Sequence, residues 1–107
     1  MILVHIITRK RAQALEIIDV LLENKLLFNA MLSRKKVFEK DDKTGELKNT
    51  FHTLIIGKTK SLLFNSINKL LISRYGNTEK MPALYCLPIV YMDPERAEAL
   101  LEHTTEV

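Results

Sequence analysis

The opening segment, Met1 to Thr8 (MILVHIIT), is apolar on both of its faces. β-Branched residues dominate it, and it is too short for a buried helix, so it reads as a strand. Ile2, Val4 and Ile6 then point one way, and Leu3, His5 and Ile7 the other. A strand covered on one side alternates apolar with polar residues, whereas one buried on both sides does not. Any fold for this chain must therefore supply two covers for its first strand.

The remaining segments say what those covers are. Residues 9–25 read as a helix that Thr8 can cap, with Ala14, Leu15, Ile18, Leu21 and Leu22 at the spacing of one helical face. Residues 26–40 and 47–58 read as two strands of a long hairpin. Between them, DDKTGE at 41–46 is a turn, with Gly45 supplying a positive φ. Ser61 opens a second helix over 62–75, striped by Leu63, Ile67, Leu70, Leu71 and Arg74 and closed by Gly76. Residues 82–92 read as a fourth strand, and Pro88, which cannot donate to a ladder, places it at an edge or a bulge. Asp93 and Pro94 start a short terminal helix with Ala97, Leu100 and Leu101 on one side.

The order is βαββαβ plus a helix, within 107 residues that suit one α+β domain spanning 1–107. This is the ferredoxin-like, split βαβ pattern. Right-handed crossovers put both long helices on one face of an antiparallel sheet, with strand order fourth, first, third, second. The other face stays open and apolar. Monomers tolerate exposed apolar patches of only a few hundred Å². The expectation is a homo-oligomer in which copies of the sheet cover one another; the competing reading is a monomer whose short third helix caps that face.

Composition excludes several classes. Cys86 is the sole cysteine, which rules out a disulfide scaffold. The longest apolar run, Met1 to Ile7, falls far short of the roughly 20 residues of a spanning helix. Arg9, Lys10 and Arg11 follow that run instead of preceding it, the reverse of an export signal, so a cytoplasmic location is expected and no membrane partner. Sixteen basic residues face thirteen acidic ones, interspersed except at Arg9–Arg11 and Arg34–Lys36. Nucleic acid is accordingly not the expected partner.

Several segments together resemble a known family, the CutA divalent-cation-tolerance proteins, relatives in fold of the PII-type nitrogen regulators. They are Met1–Val4, Ala14–Ile17, Leu22–Leu26, Phe28–Ala30, Ile55–Thr59 and, most closely, Met81–Ile89 (MPALYCLPI). The resemblance runs along nearly the whole chain. It implies compact trimers with the sheets turned inward and a role linked to divalent cations. The family's usual cysteine before the second strand has no counterpart in Leu27–Asn29, and its His-Pro-Tyr-Glu segment none in Tyr75–Lys80 (YGNTEK).

Three constellations bear on chemistry. Gly57-Lys58-Thr59 looks like the end of a phosphate loop, but His52 stands where that loop needs a glycine, so it reads as a strand end. His5, His52 and Cys86 lie near the middles of neighbouring strands, and imidazole with thiolate suits copper or zinc, with Met31, Met81 and Met92 as further soft donors. They are the candidate metal ligands, although no tight structural metal and no cofactor is expected. No nucleophile–base set has recognisable context, and Glu39, Asp41, Asp42 and Glu46 sit around a hairpin tip. The sequence reads as a non-catalytic, trimeric, CutA-like binding or regulatory protein able to take a small ligand or metal ion. The alternative is a basic-surface nucleic-acid or membrane-associated module.

Overall fold

The opening segment forms β1 (Ile2–Thr8) in a computed structural model that describes all residues, 1–107. The other strands are β2 (Asn29–Lys40), β3 (Leu47–Thr59) and β4 (Ala83–Pro88), and they build one antiparallel sheet in the order β2-β3-β1-β4. The helices are α1 (Arg11–Glu23), α2 (Phe64–Tyr75, preceded by a 3-10 turn, Ser61–Leu63) and α3 (Pro94–His103). The architecture is the α+β, ferredoxin-like one, with the expected strand order.

One face of β1 carries the core. Ile2, Val4 and Ile6 pack with Ile55 of β3, with Ala14, Ile17 and Leu21 of α1, and with Leu63, Ile67, Leu71 and Tyr75 along the second helical segment. Each such aliphatic side chain removed from water contributes about 1.5–3 kcal/mol before chain entropy is counted. In α1 the buried stripe is centred on Ile17, and Leu15 and Leu22 of the expected stripe are 43% and 39% exposed. The helix carries two adjacent apolar ridges, and the sheet takes only one. In α2, Tyr75 occupies the place expected of Arg74, one turn beyond Leu71.

Several expected ends are corrected. Thr8 does not cap α1: still inside β1, it donates its hydroxyl to the Lys10 carbonyl at 3.0 Å, and Lys10 holds the cap position without a side-chain bond. Ser61 likewise caps nothing and begins the 3-10 turn. Gly76 is not left-handed (φ −58°); Asn77 takes that conformation (φ 63°), and a Cβ on Gly76 would strike the Ile72 carbonyl. β2 starts at Asn29, because Leu26 and Leu27 are spent in the core. β4 ends at the proline, leaving Val90 and Tyr91 97% and 78% exposed. The Asp93 cap stands, its carboxylate accepting the Arg96 N–H at 3.1 Å. At the hairpin tip the Asp41 carboxylate accepts the N–H groups of Thr44 and Lys43, which hold it below the usual carboxylate range.

The Gly57-Lys58-Thr59 segment is a strand end. Thr59 is buried and donates to the Leu26 carbonyl at 2.6 Å. A Cβ on Gly57 would lie 2.7 Å from Leu27 Cδ1 and 3.0 Å from the Asn29 carbonyl oxygen. Leu27 is itself buried, so Gly57→Ala should destabilise the fold by about 1–3 kcal/mol in chemical denaturation. An unchanged midpoint would show that the α1–β2 connection yields freely.

Tyr75 joins α2 to α1 by donating its hydroxyl to Glu16 Oε1 at 3.0 Å. Burial, and then the bond to the Glu16 carboxylate, raise its phenol above the ordinary range. The fold thus favours the neutral phenol. Its stabilisation is complete below the unfolded value of about 10 and is lost as pH rises through the higher folded value. Tyr75→Phe should cost about 0.5–1.5 kcal/mol near neutrality. It should also remove the most alkaline step from the phenolate absorbance titration and flatten the alkaline fall in stability; a titration identical to wild type would contradict the Glu16 link.

Candidate functional site

The register assigns each strand residue to a face. Leu3, His5 and Ile7 of β1 lie opposite Lys58, Ile56 and Leu54 on one side, and opposite Leu87, Tyr85 and Ala83 on the other. Met31 of β2 pairs with Ile56 and extends the same face. This is the face away from the core. Its centre is half-buried, and toward its edges Met31, Tyr85 and Leu87 are 57%, 45% and 47% exposed. His5 sits in the middle, its ring 5.0 Å from that of Tyr85. Its Nδ1 is shut off from solvent and has no hydrogen-bond partner within the chain. An orphaned buried polar atom of this kind costs about 1–3 kcal/mol.

The three candidate ligands are not brought together. His5 and His52 share the open face, but the β3 residue opposite His5 is Ile56, four positions beyond His52. Four residues of strand span about 13 Å. His52 instead meets Thr50 Oγ1 through Nε2 at 3.2 Å. Cys86 pairs with Val4, which is a core residue, so it belongs to the other face, at an exposed edge. Of the methionines, Met31 lies on the open face, whereas Met81 packs against the core. No three histidine, cysteine, aspartate or glutamate side chains converge in the chain. Within one chain this donor set does not fit a resident divalent cation. The strands are adjacent as expected, and side-chain parity divides the set.

Two clefts meet where β1 passes into α1. The larger, about 680 Å³, lies between Arg9, Lys10, Glu16, Tyr75 and the segment Glu79–Ala83. Gln13 Nε2 donates to the Lys80 carbonyl at 2.6 Å and ties that segment to α1. Glu16 accepts from Tyr75 and, at 3.4 Å, from Arg74. The Tyr75–Lys80 stretch thus leads into one wall of a cleft. The sequence offers no sign of it, since Glu16 lies on a polar helix face. The smaller cleft, about 440 Å³, is lined by Arg9, Lys10, Arg11, Arg34, Phe51 and His52 among others. Its two basic clusters are visible in the sequence, but their meeting depends on the register, in which Thr53 faces Thr8 on one side and Arg34 on the other.

No protein-family model matches the chain, and its sequence has no significant match among curated proteins. Solved structures do match. CutA1 from Pyrococcus horikoshii superposes with a TM-score of 0.82 at 19% identity, over 99% of this chain and 100% of that one. The periplasmic divalent cation tolerance protein CutA from Archaeoglobus fulgidus gives 0.80 at 22% identity, over 96% and 98%. The divalent cation tolerance protein CutA1 from Thermus thermophilus gives 0.78 at 22% identity, over 98% and 100%. At such identities the likeness speaks for the backbone: from end to end, this chain has the ferredoxin-like fold of the CutA1 proteins.

Proposed function

We propose that this chain is a non-catalytic, homotrimeric, CutA-like binding or regulatory protein of the cytoplasm, linked to divalent-cation tolerance. The fold supports the family reading, and the apolar open face carries the assembly. Leu3, Ile7, Leu54 and Ile56 surround an imidazole whose Nδ1 lacks a partner. Such a surface suits a second protein layer better than water. The outer edges of β2 and β4 are also unpaired within the chain. Copies of one chain supply matched sheets and matched edges at once.

The third helix is a poor substitute for that cover. The residues just beyond it are held at one end of the molecule, where the Thr105 N–H bonds the Lys25 carbonyl at 2.9 Å and Lys60 Nζ the Thr105 carbonyl at 2.9 Å. One ten-residue helix is also small against four strands. A divalent ion, where one binds, engages His5, His52 or Cys86 separately.

Light scattering on the purified chain should give three times 12.4 kDa. A concentration-independent mass of one chain would end the proposal. Leu3→Asp, which puts an unpaired charge on the covered face at a cost of several kcal/mol, should lower the mass or unfold the protein. Leu62→Asp, at a position 72% exposed, should change neither. For the cellular role, expression in a copper-sensitive bacterium should raise the copper concentration it tolerates; unchanged tolerance would contradict the cation link.

A further inference from the structure

The smaller cleft has a charge pattern that the trimer and cation readings leave unused. Arg9, Lys10, Arg11 and Arg34 line it with His52, and no carboxylate does. Four permanent cations drawn into about 440 Å³ repel one another. Nothing in the chain neutralises them: its two ion pairs are Arg74–Glu16 and Arg96–Asp93, both elsewhere. Arg34 nevertheless has a partner. Arg34 Cζ lies 4.0 Å from the centre of the Phe51 ring, so an aromatic face, not an acid, orients the guanidinium. Lys36 Nζ, at 5.5 Å from the same ring, adds a further positive charge at the rim.

The backbone contributes the same sign. α1 starts at Arg11, its cap position makes no side-chain bond, and its first turn holds no acidic residue. Its leading N–H groups, at the positive end of its dipole, follow directly on Arg9 and Lys10 in the chain. Thr8, Thr53 and Arg34 lie on the helix-covered side of the sheet, since Thr8 and Thr53 are buried with the core face. Most of the cleft therefore lies on the side of the sheet away from the open face, and only Ser33 and His52 of its lining belong to that face.

We infer that this cleft binds a small polyphosphate, a ligand carrying two or more linked phosphates. Separate guanidinium groups on two sides of the cleft match several phosphate oxygens better than one monoanion. The volume suits a small ligand. A nucleic-acid strand fits less well: beyond Arg9 and Lys10 the surface continues into the cleft that holds Glu16 and Glu79 beside Lys80, where the charge is mixed and the purely basic lining ends. The inference stands apart from the cation-tolerance reading, since it uses none of the apolar residues of the open face and, of the metal-donor residues, only His52 at its margin.

Isothermal titration calorimetry of the whole chain with inorganic tripolyphosphate tests it, with ATP as a second ligand. Tripolyphosphate should bind once per chain and more weakly as potassium chloride is added. Arg34→Ala and the Arg9→Ala/Arg11→Ala pair should each weaken it about tenfold or more, a loss on the scale of one desolvated charge contact. Arg34→Lys should retain part of the binding, and Lys43→Ala at the hairpin tip should change nothing. Equal binding of ATP and tripolyphosphate identifies the phosphate chain itself as the ligand; tighter ATP binding identifies a nucleotide, and both support the site. Thermal melts of the variants separate lost binding from lost folding. No heat with either ligand, binding indifferent to Arg34→Ala in a folded variant, or tighter and length-dependent binding of single-stranded RNA would overturn the inference.

Discussion

A strand that is apolar on both faces sits inside the sheet, and everything else answers to it. β1 lies between β3 and β4, so its backbone is fully laddered, and its two rows of side chains face two separate problems. Ile2, Val4 and Ile6 are solved within the chain by α1 and α2. Leu3, His5 and Ile7 are not solved to the same degree, and they set the character of the other face. A single strand thus fixes both the interior of the domain and the apolar character of its open face. His5 makes the point sharper, because an imidazole nitrogen buried without a hydrogen bond marks that surface as incomplete.

The end of β1 matters for a different reason. There the chain turns from a buried strand into a helix within two residues, and the turn is basic: Arg9, Lys10 and Arg11. Because β2 and β3 extend well past the end of β1, their pairing brings Arg34 and Phe51 alongside this turn. Sheet hydrogen bonding, which carries no charge preference, thereby concentrates like charges. Their repulsion is a standing cost in the subunit, and an anion relieves it. The apolar face and the basic cleft are both consequences of one strand's length and position, and Arg34 lies on the side of the sheet opposite the apolar face.

Much of the architecture was legible in the sequence. Strand order followed from the element order and crossover handedness, and the Asp93-Pro94 start and the Gly45 turn followed from local chemistry. What escaped depended on neighbours distant in the chain. The choice between the Ile17 ridge and the Leu15 ridge of α1 is made by the sheet beneath, not by helical spacing. Tyr75, not Arg74, is the buried residue one turn beyond Leu71, its ring in the core and its hydroxyl bonded to Glu16 of α1. The ligand trio failed to assemble because a pairing partner reveals the face of a residue only once the register is fixed, and Val4 opposite Cys86 decides it. The same register united Arg34 with Arg9–Arg11, a meeting that two clusters seen separately could not reveal.

Whether the open face is covered by copies of this chain is decided most directly by small-angle X-ray scattering from the protein in dilute solution. An assembly of three subunits with their open faces inward requires a curve fitted by three copies, with a radius of gyration well above that of one subunit. A curve that one chain fits on its own at every concentration, with a radius close to its Cα value of 15.4 Å, would contradict it.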